Sequence, residues 1–158
     1  MTRKKPKYSA GNRGAIETKV VPASGDSASD HYVSQCFRWD PSRACLDHSQ
    51  FGMEQVPHED LWGEVLVKLQ HFSSMTWQDI LRASGGRRVG NNNHHLNPET
   101  DLTKEGQAAL NSQDLELREM PLFSLRLEGK RRVLGFRQGS TFFPVWHDLN
   151  HRFASTKG

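Results

Sequence analysis

The chain has 158 residues, a formal net charge of +3 and a hydrophobic fraction of 35%, which fits one domain, or one domain with a tail, around a small core. No apolar run approaches the roughly 18–20 residues that a membrane-spanning helix needs. The basic N-terminus lacks the apolar stretch of a secretory signal. We therefore expect a cytoplasmic protein with no membrane partner.

Charge is unevenly distributed along the chain. Residues 1–19 carry six Lys or Arg and one Glu, residues 20–117 carry seven bases and fourteen acids, and residues 118–158 carry eight bases and three acids. An acidic middle between two basic ends indicates that the ends contact a polyanion, and that middle and ends partly pair in the fold. A solvated charged tail is the alternative for the N-terminal run.

The first part of the chain is predicted to be mostly irregular. Residues 1–30 are rich in Lys, Ser, Gly and Asp, so we expect a basic tail without fixed structure. Residues 31–158 are expected to form a single α+β domain. Within it, Tyr32–Trp39 predicts a short strand, which the turn residues at 40–42 end.

Three helices are predicted before the C-terminal strands. Apolar residues at helical spacing predict the first over Pro57–Phe72. Thr76, with Asp79 three residues later, predicts a capping box at the start of a second, short helix. The composition of Gly85–Asn97 predicts a loop. Thr103 predicts the cap of a third helix ending near Leu110, which a glycine at position 106 weakens.

The segment Pro121–Phe153 predicts a three-stranded antiparallel meander. Phe123, Leu125 and Leu127 alternate with polar residues, as in a half-buried strand. A tight turn follows at 128–130, a second strand over Arg131–Arg137, and a third over Thr141–His147 after a turn at Gln138-Gly139. Pro144 cannot donate to a ladder, so the third strand lies at an edge or carries a bulge there.

The length of the first turn decides where the arginines point. With a two-residue loop, Arg126 lies opposite Arg131, and Arg132 shares the core-facing side with the leucines of the strands. With a three-residue loop, Arg126 lies opposite Arg132 and both share one face. Like charges directly opposite each other destabilise a sheet unless an anion lies between them. The sequence therefore favours an anion near Arg126, with neutralisation by Glu128 or Glu119 as the alternative.

The end of the third strand carries residue types that suit contact with RNA. The Trp146 indole beside arginines is of the kind that stacks on unpaired bases. Imidazoles beside arginines, as at His147 and His151, can move protons at a phosphodiester while arginine stabilises the charged transition state. The alternative is that Trp146 belongs to the core and that both histidines are surface residues at a strand end.

The pattern from Leu122 to Phe153 resembles the C-terminal half of RelE/ParE-type bacterial toxins. The matching positions are Arg126, Arg132-Val133, Phe142–Trp146 and His151-Arg152. The resemblance implies a small antiparallel sheet packed against helices, and a metal-independent endoribonuclease that cuts messenger RNA, on the ribosome in many members. It also implies an antitoxin partner.

By carry-over, the catalytic residues would be Arg126, Arg132 and Arg152 at the scissile phosphate, with His151 as the proton-transfer group. The remaining basic and aromatic residues of the meander are predicted to bind RNA: Lys130, Arg131, Arg137, Trp146 and His147. The tyrosine that often follows the closing basic pair in the family is replaced here by Phe153-Ala154.

Two other functions remain open on the sequence alone. The same strands fit a non-catalytic nucleic-acid-binding or phage-related accessory protein, or a module whose arginines engage an acidic protein partner. We expect no cofactor and no metal. Four residues with zinc-ligand chemistry occur at 31–48, but they lack the close Cys-x-x-Cys pair of structural zinc sites.

Overall fold

A computed structural model describes residues 31–83 and 92–155. Five strands form one sheet: β1 (Arg38–Trp39), β2 (Asn93–Leu96), β3 (Leu122–Arg126), β4 (Arg132–Gln138) and β5 (Thr141–Asp148). Their order across the sheet is β1-β5-β4-β3-β2. β1 pairs with β5 in parallel, and the other neighbours are antiparallel. The α+β class is confirmed, whereas the predicted meander is the centre of a mixed sheet.

Helices precede and interrupt the sheet. The first long helical stretch comprises α1 (His58–Asp60), a π-helical segment (Leu61–Leu66) and α2 (Val67–Phe72). Then follow α3 (Trp77–Arg82), α4 (Lys104–Asn111) and α5 (Leu115–Arg118). Short 3-10 turns lie at His31–Ser34, Pro41–Arg43 and Met53–Gln55.

Local sequence signals predict the starts of α3 and α4 correctly. Thr76 and Asp79 form the predicted capping box, in which the Asp79 amide donates to the Thr76 hydroxyl over 3.2 Å and the Thr76 amide donates to the Asp79 carboxylate over 3.1 Å. The hydroxyl of Thr103 likewise accepts from the Gly106 amide at the start of α4. In both cases the cap satisfies an amide that the helix itself leaves unpaired.

Both faces of the sheet are covered. The first core lies between one face and α2, α3 and the π segment, around Trp77, Phe123 and Leu125. The second core lies on the opposite face, where α4, α5 and Phe153 pack against Trp146 and neighbouring strand residues. Residues Leu122–Leu125 of β3 are therefore all buried, and the expectation of a half-buried strand is wrong.

Two local predictions need correction. The segment 32–39 is a 3-10 turn followed by only two strand residues. The predicted loop Gly85–Asn97 contains strand β2, and its part at 85–91 lies outside the described residues, as does the predicted tail 1–30. Residues 93–96 pair with β3, and this long-range pairing makes them a strand although their polar composition predicts a loop.

Of the two alternatives for Pro144, an edge position or a bulge, the structure shows the bulge. Leu134 pairs with Trp146 but Gly135 pairs with Pro144, so one extra residue, Val145, lies between two pairs of the ladder. A Cβ atom at Gly135 would overlap the carbonyl oxygen of Phe143. The bulge thus requires glycine at position 135, where the backbone of the neighbouring strand leaves no room for a Cβ atom.

None of the helices in the described residues is both long and apolar enough to span a membrane.

Candidate nucleic-acid interface

The first hairpin adopts the three-residue turn. Arg126 pairs with Arg132 across β3 and β4, and the Leu127 amide donates to the Arg131 carbonyl over 3.0 Å. Gly129 in the turn has φ +55°, a conformation that glycine adopts without strain. The register therefore places Arg126 and Arg132 directly opposite each other and on the same side of the sheet, as the second of the two sequence alternatives requires.

Arg132 is half-buried at the end of its strand. Its Nη1 donates to the carbonyl oxygens of Gly129 and Arg131, over 3.0 and 2.8 Å. Burial, and secondly the positive charge of Arg126, lower the pKa of Arg132, which the charge of Asp148 partly offsets. Among the described residues, none accepts a hydrogen bond from Nε or Nη2 of Arg132. This edge of the guanidinium retains the fork of donors that suits a phosphate.

Arg126 is held by the residues at the start of β2. Its Nη1 donates to the side-chain oxygen of Asn92, and its backbone amide donates to that of Asn93, both over 2.8 Å. Asn93 is buried and also donates to the carbonyl of Ile80 over 2.9 Å. Arg126 is thus oriented by β2, an element that the sequence did not predict.

A small pocket joins Arg126 to the helix above the hairpin. Its volume is about 170 Å³, and its basic lining residues are Lys68, His71 and Arg126. Lys68 and His71 are three residues apart on α2, so they occupy neighbouring positions on one helix face. The sequence predicted only a core-facing role for this helix. The basic pair Lys68 and His71, which lies between its apolar residues, was not predicted to line a pocket.

The predicted catalytic cluster is divided in the structure. Asp148 lies opposite Arg132 and accepts hydrogen bonds from the backbone amides of Asn150, Arg152 and Phe153, over 3.3, 3.0 and 2.8 Å. The side chains of His151 and Arg152, however, line a different pocket of about 380 Å³ beside α4. Neither Arg126 nor Arg132 lines that pocket.

His151 and Arg152 have distinct environments. His151 has φ 58°, which few residues other than glycine, Asn and Asp adopt readily. Its Nδ1 is buried and has no hydrogen-bond partner in the described part of the chain. Arg152 is exposed and lines the same pocket as Glu105 of α4.

Two residues predicted to bind RNA are buried. Trp146 is 0% exposed and packs against Phe136 and Phe153 of the second core, so its ring presents no face to a base. His147 is 1% exposed, and neither ring nitrogen has a partner among the described residues. Burial lowers the pKa of His147, which favours the neutral imidazole. Trp146 therefore belongs to the core, as the alternative interpretation of the sequence stated.

The remaining basic residues of the hairpin differ in whether other protein groups already contact their charge. Arg131 forms ion pairs with Asp60 and Glu64, and the hydrogen bond that it donates to the Glu64 carboxylate raises its pKa. Arg137 stacks on the ring of Tyr32, with its guanidinium carbon 3.5 Å from the ring centroid, and burial lowers its pKa. Lys130 is exposed in the turn. Of these three, Lys130 is the cation that a ligand reaches most readily.

No group of three or more His, Cys, Asp or Glu side chains within residues 31–83 and 92–155 has the arrangement of a metal site. Both cysteines are free, with Cys36 exposed and Cys45 half-buried.

No protein-family model matches the chain, and comparison with curated proteins and with solved structures gives no match either. The resemblance to RelE/ParE-type toxins therefore stays a prediction. The fold and the geometry define the chain as an α+β protein with a mixed sheet and a basic hairpin tip.

Proposed function

We propose that the protein binds RNA through phosphate contacts at the tip of the β3–β4 hairpin. The observation that carries the proposal is the direct pairing of Arg126 with Arg132. Two positive charges held opposite each other repel. A phosphate group between or above them attracts both guanidinium groups and so offsets this repulsion. Lys130 adds an exposed positive charge in the turn, and Lys68 of α2 lines the same pocket as Arg126.

RNA is the polyanion that the proposal favours. In part, this choice rests on the resemblance of the β3–β5 segment to toxins that act on messenger RNA. The buried Trp146 removes the stacking platform that base recognition would use. Binding is thus expected to depend on phosphate charge, to vary little with base sequence and to weaken steeply with salt.

The double variant Arg126→Ala/Arg132→Ala tests this function. Its affinity for a mixed-sequence, single-stranded 20-nucleotide RNA should fall, and the slope of log K against log salt should decrease by about 1–2 because two phosphate contacts are lost. Fluorescence anisotropy at several salt concentrations measures both quantities. Since Arg126 helps to hold β2, circular dichroism and thermal unfolding must show that the variant is folded.

Arg118→Ala is the matched control. It removes one positive charge from α5 at an exposed position outside the hairpin, so it should leave the salt slope unchanged. A folded double variant that binds RNA with the affinity and salt slope of the wild type would exclude the hairpin as the phosphate site. Competition by RNA also separates this function from binding of an acidic protein partner at the same arginines.

A second candidate function is the metal-independent endoribonuclease of RelE/ParE type, restrained by an antitoxin. The observation that favours it is the pocket beside α4, where His151 lies next to Arg152. A histidine that lines a pocket can take part in proton transfer, and arginine can stabilise the charge that develops on a phosphate. Because the pocket with His151 and Arg152 shares no lining residue with the Arg126 pocket, these predicted catalytic residues do not line one site. Binding is therefore the better-supported function.

His151→Asn tests the catalytic function. Asparagine tolerates the positive φ at position 151 but cannot shuttle a proton at neutral pH, so the fold should be retained while cleavage is lost. We expect wild-type expression to arrest growth and RNA cleavage to persist in EDTA, and both effects to disappear in the variant. Growth arrest and cleavage at wild-type rates in His151→Asn would rule out this residue as the proton-transfer group.

A further inference from the structure

A cleft separates the first helical stretch from the β3–β4 hairpin. Its volume is about 630 Å³, and four carboxylates line it against two fixed cations: Glu59, Asp60, Glu64, Glu128, Lys68 and Arg131. Asp60 and Glu64 are engaged by Arg131. Glu59 and Glu128 are exposed and form no ion pair with any described residue. The cleft therefore carries an excess of negative charge.

Two exposed apolar side chains lie on the same helical stretch: Val67 lines the cleft, and Trp62 directly precedes the lining residue Gly63. Trp62 is 68% exposed and Val67 is 55% exposed, although large apolar side chains at a helix surface are usually turned to the core. In a π-helix each residue is bonded to the residue five positions on, which brings Trp62 and Val67 to one side of the helix. Gly63 between them leaves open space, since a Cβ there would meet no atom within 4 Å.

We propose that the N-terminal segment 1–19 of this chain docks in the cleft. The segment carries six Lys or Arg and one Glu, so it complements the excess of carboxylates. Its Lys and Arg side chains can form ion pairs with Glu59 and Glu128. Their aliphatic stems and charged groups can also pack on the Trp62 indole. The basic N-terminus and the acidic cleft thus form an intramolecular contact.

The connecting chain is long enough for this contact. Residues 20–30 link the basic segment to His31, and eleven residues span up to about 37 Å when extended. A compact domain of this size has a radius of gyration of about 14 Å. Tyr32, next to His31, packs against the first core, which the helical stretch at the cleft also covers, so the linker starts on the same side of the sheet as the cleft. Charge complementarity then decides where the segment binds.

Acrylamide quenching of tryptophan fluorescence tests the docking in the full chain. Trp77 and Trp146 are fully buried and Trp39 is half-buried, so Trp62 is the indole most open to the quencher. If the segment covers Trp62, the quenching constant should be higher in the triple variant Lys4→Glu/Lys5→Glu/Lys7→Glu than in the wild type. High salt should raise the wild-type constant to the same value, because the Debye length at about 1 M salt is only about 3 Å. In a Trp62→Phe background this rise should be absent.

A charge swap identifies the contact. Glu59→Lys/Glu128→Lys alone should expose Trp62, and combining it with the three tail changes should restore protection. Equal quenching in the wild type and the tail variant would overturn the proposal, as would failure of the swap to restore protection. Protection that depends on protein concentration would assign the cleft to a second copy of the chain and would likewise overturn it.

Discussion

Asp148→Ala should lower the free energy of unfolding by about 3–5 kcal/mol, the largest effect that we expect from a single polar substitution here. The Asp148 side chain is 3% exposed and accepts from three backbone amides between Asn150 and Phe153. Alanine leaves the buried Phe153 amide without an acceptor and releases the segment that packs on α4. Urea unfolding, with the slope of free energy against urea unchanged, measures the loss.

Two controls separate the geometry of Asp148 from its charge. Asp148→Asn keeps one acceptor oxygen and should recover part of the lost stability, with a remaining deficit because hydrogen bonds to a charged acceptor are stronger. Asp79→Ala removes a carboxylate that caps α3 at the surface, and should cost clearly less than Asp148→Ala. An Asp148→Ala protein as stable as the wild type would show that the C-terminal segment does not depend on these bonds.

Gly106→Ala should destabilise the protein by about 2 kcal/mol, although alanine is the better helix former by about 1 kcal/mol. Gly106 lies in α4, and a Cβ at this position would overlap the carbonyl oxygen of Phe153 and press on its ring. Because that obstacle is backbone, α4 must move away from the second core. Chemical denaturation measures the change in the free energy of unfolding.

Gly63→Ala is the matched control for Gly106→Ala. Both glycines lie in helical segments, but a Cβ at Gly63 meets nothing within 4 Å. The same substitution should therefore be neutral or stabilising there, by up to about 1 kcal/mol. Equal effects at the two positions would show that helix propensity, rather than the close approach of α4 to Phe153, determines the requirement for glycine.

The candidate site was only partly predictable from the sequence. The two alternatives for the first turn followed from its residues, but only the observed ladder selects the pairing of Arg126 with Arg132. The Asn92 and Asn93 contacts that orient Arg126 come from a segment more than thirty residues earlier in the chain. Polar composition predicted a loop there, because β2 has the sequence Asn-His-His-Leu and a single apolar residue gives no alternating hydrophobic signal.

Local sequence patterns were sufficient for the features that depend on near neighbours: the capping box at Thr76, the cap at Thr103 and the three strands of the C-terminal segment. At Pro144 they left an edge position and a bulge open, and only the ladder shows the bulge. Helix caps, turns and two-residue alternation are set by interactions within a few residues. Which side of each strand is covered, and where the π segment meets the hairpin, were decided by tertiary structure. These features arise from contacts between distant segments, such as Glu64 with Arg131 and Gly106 with Phe153, which local patterns do not encode.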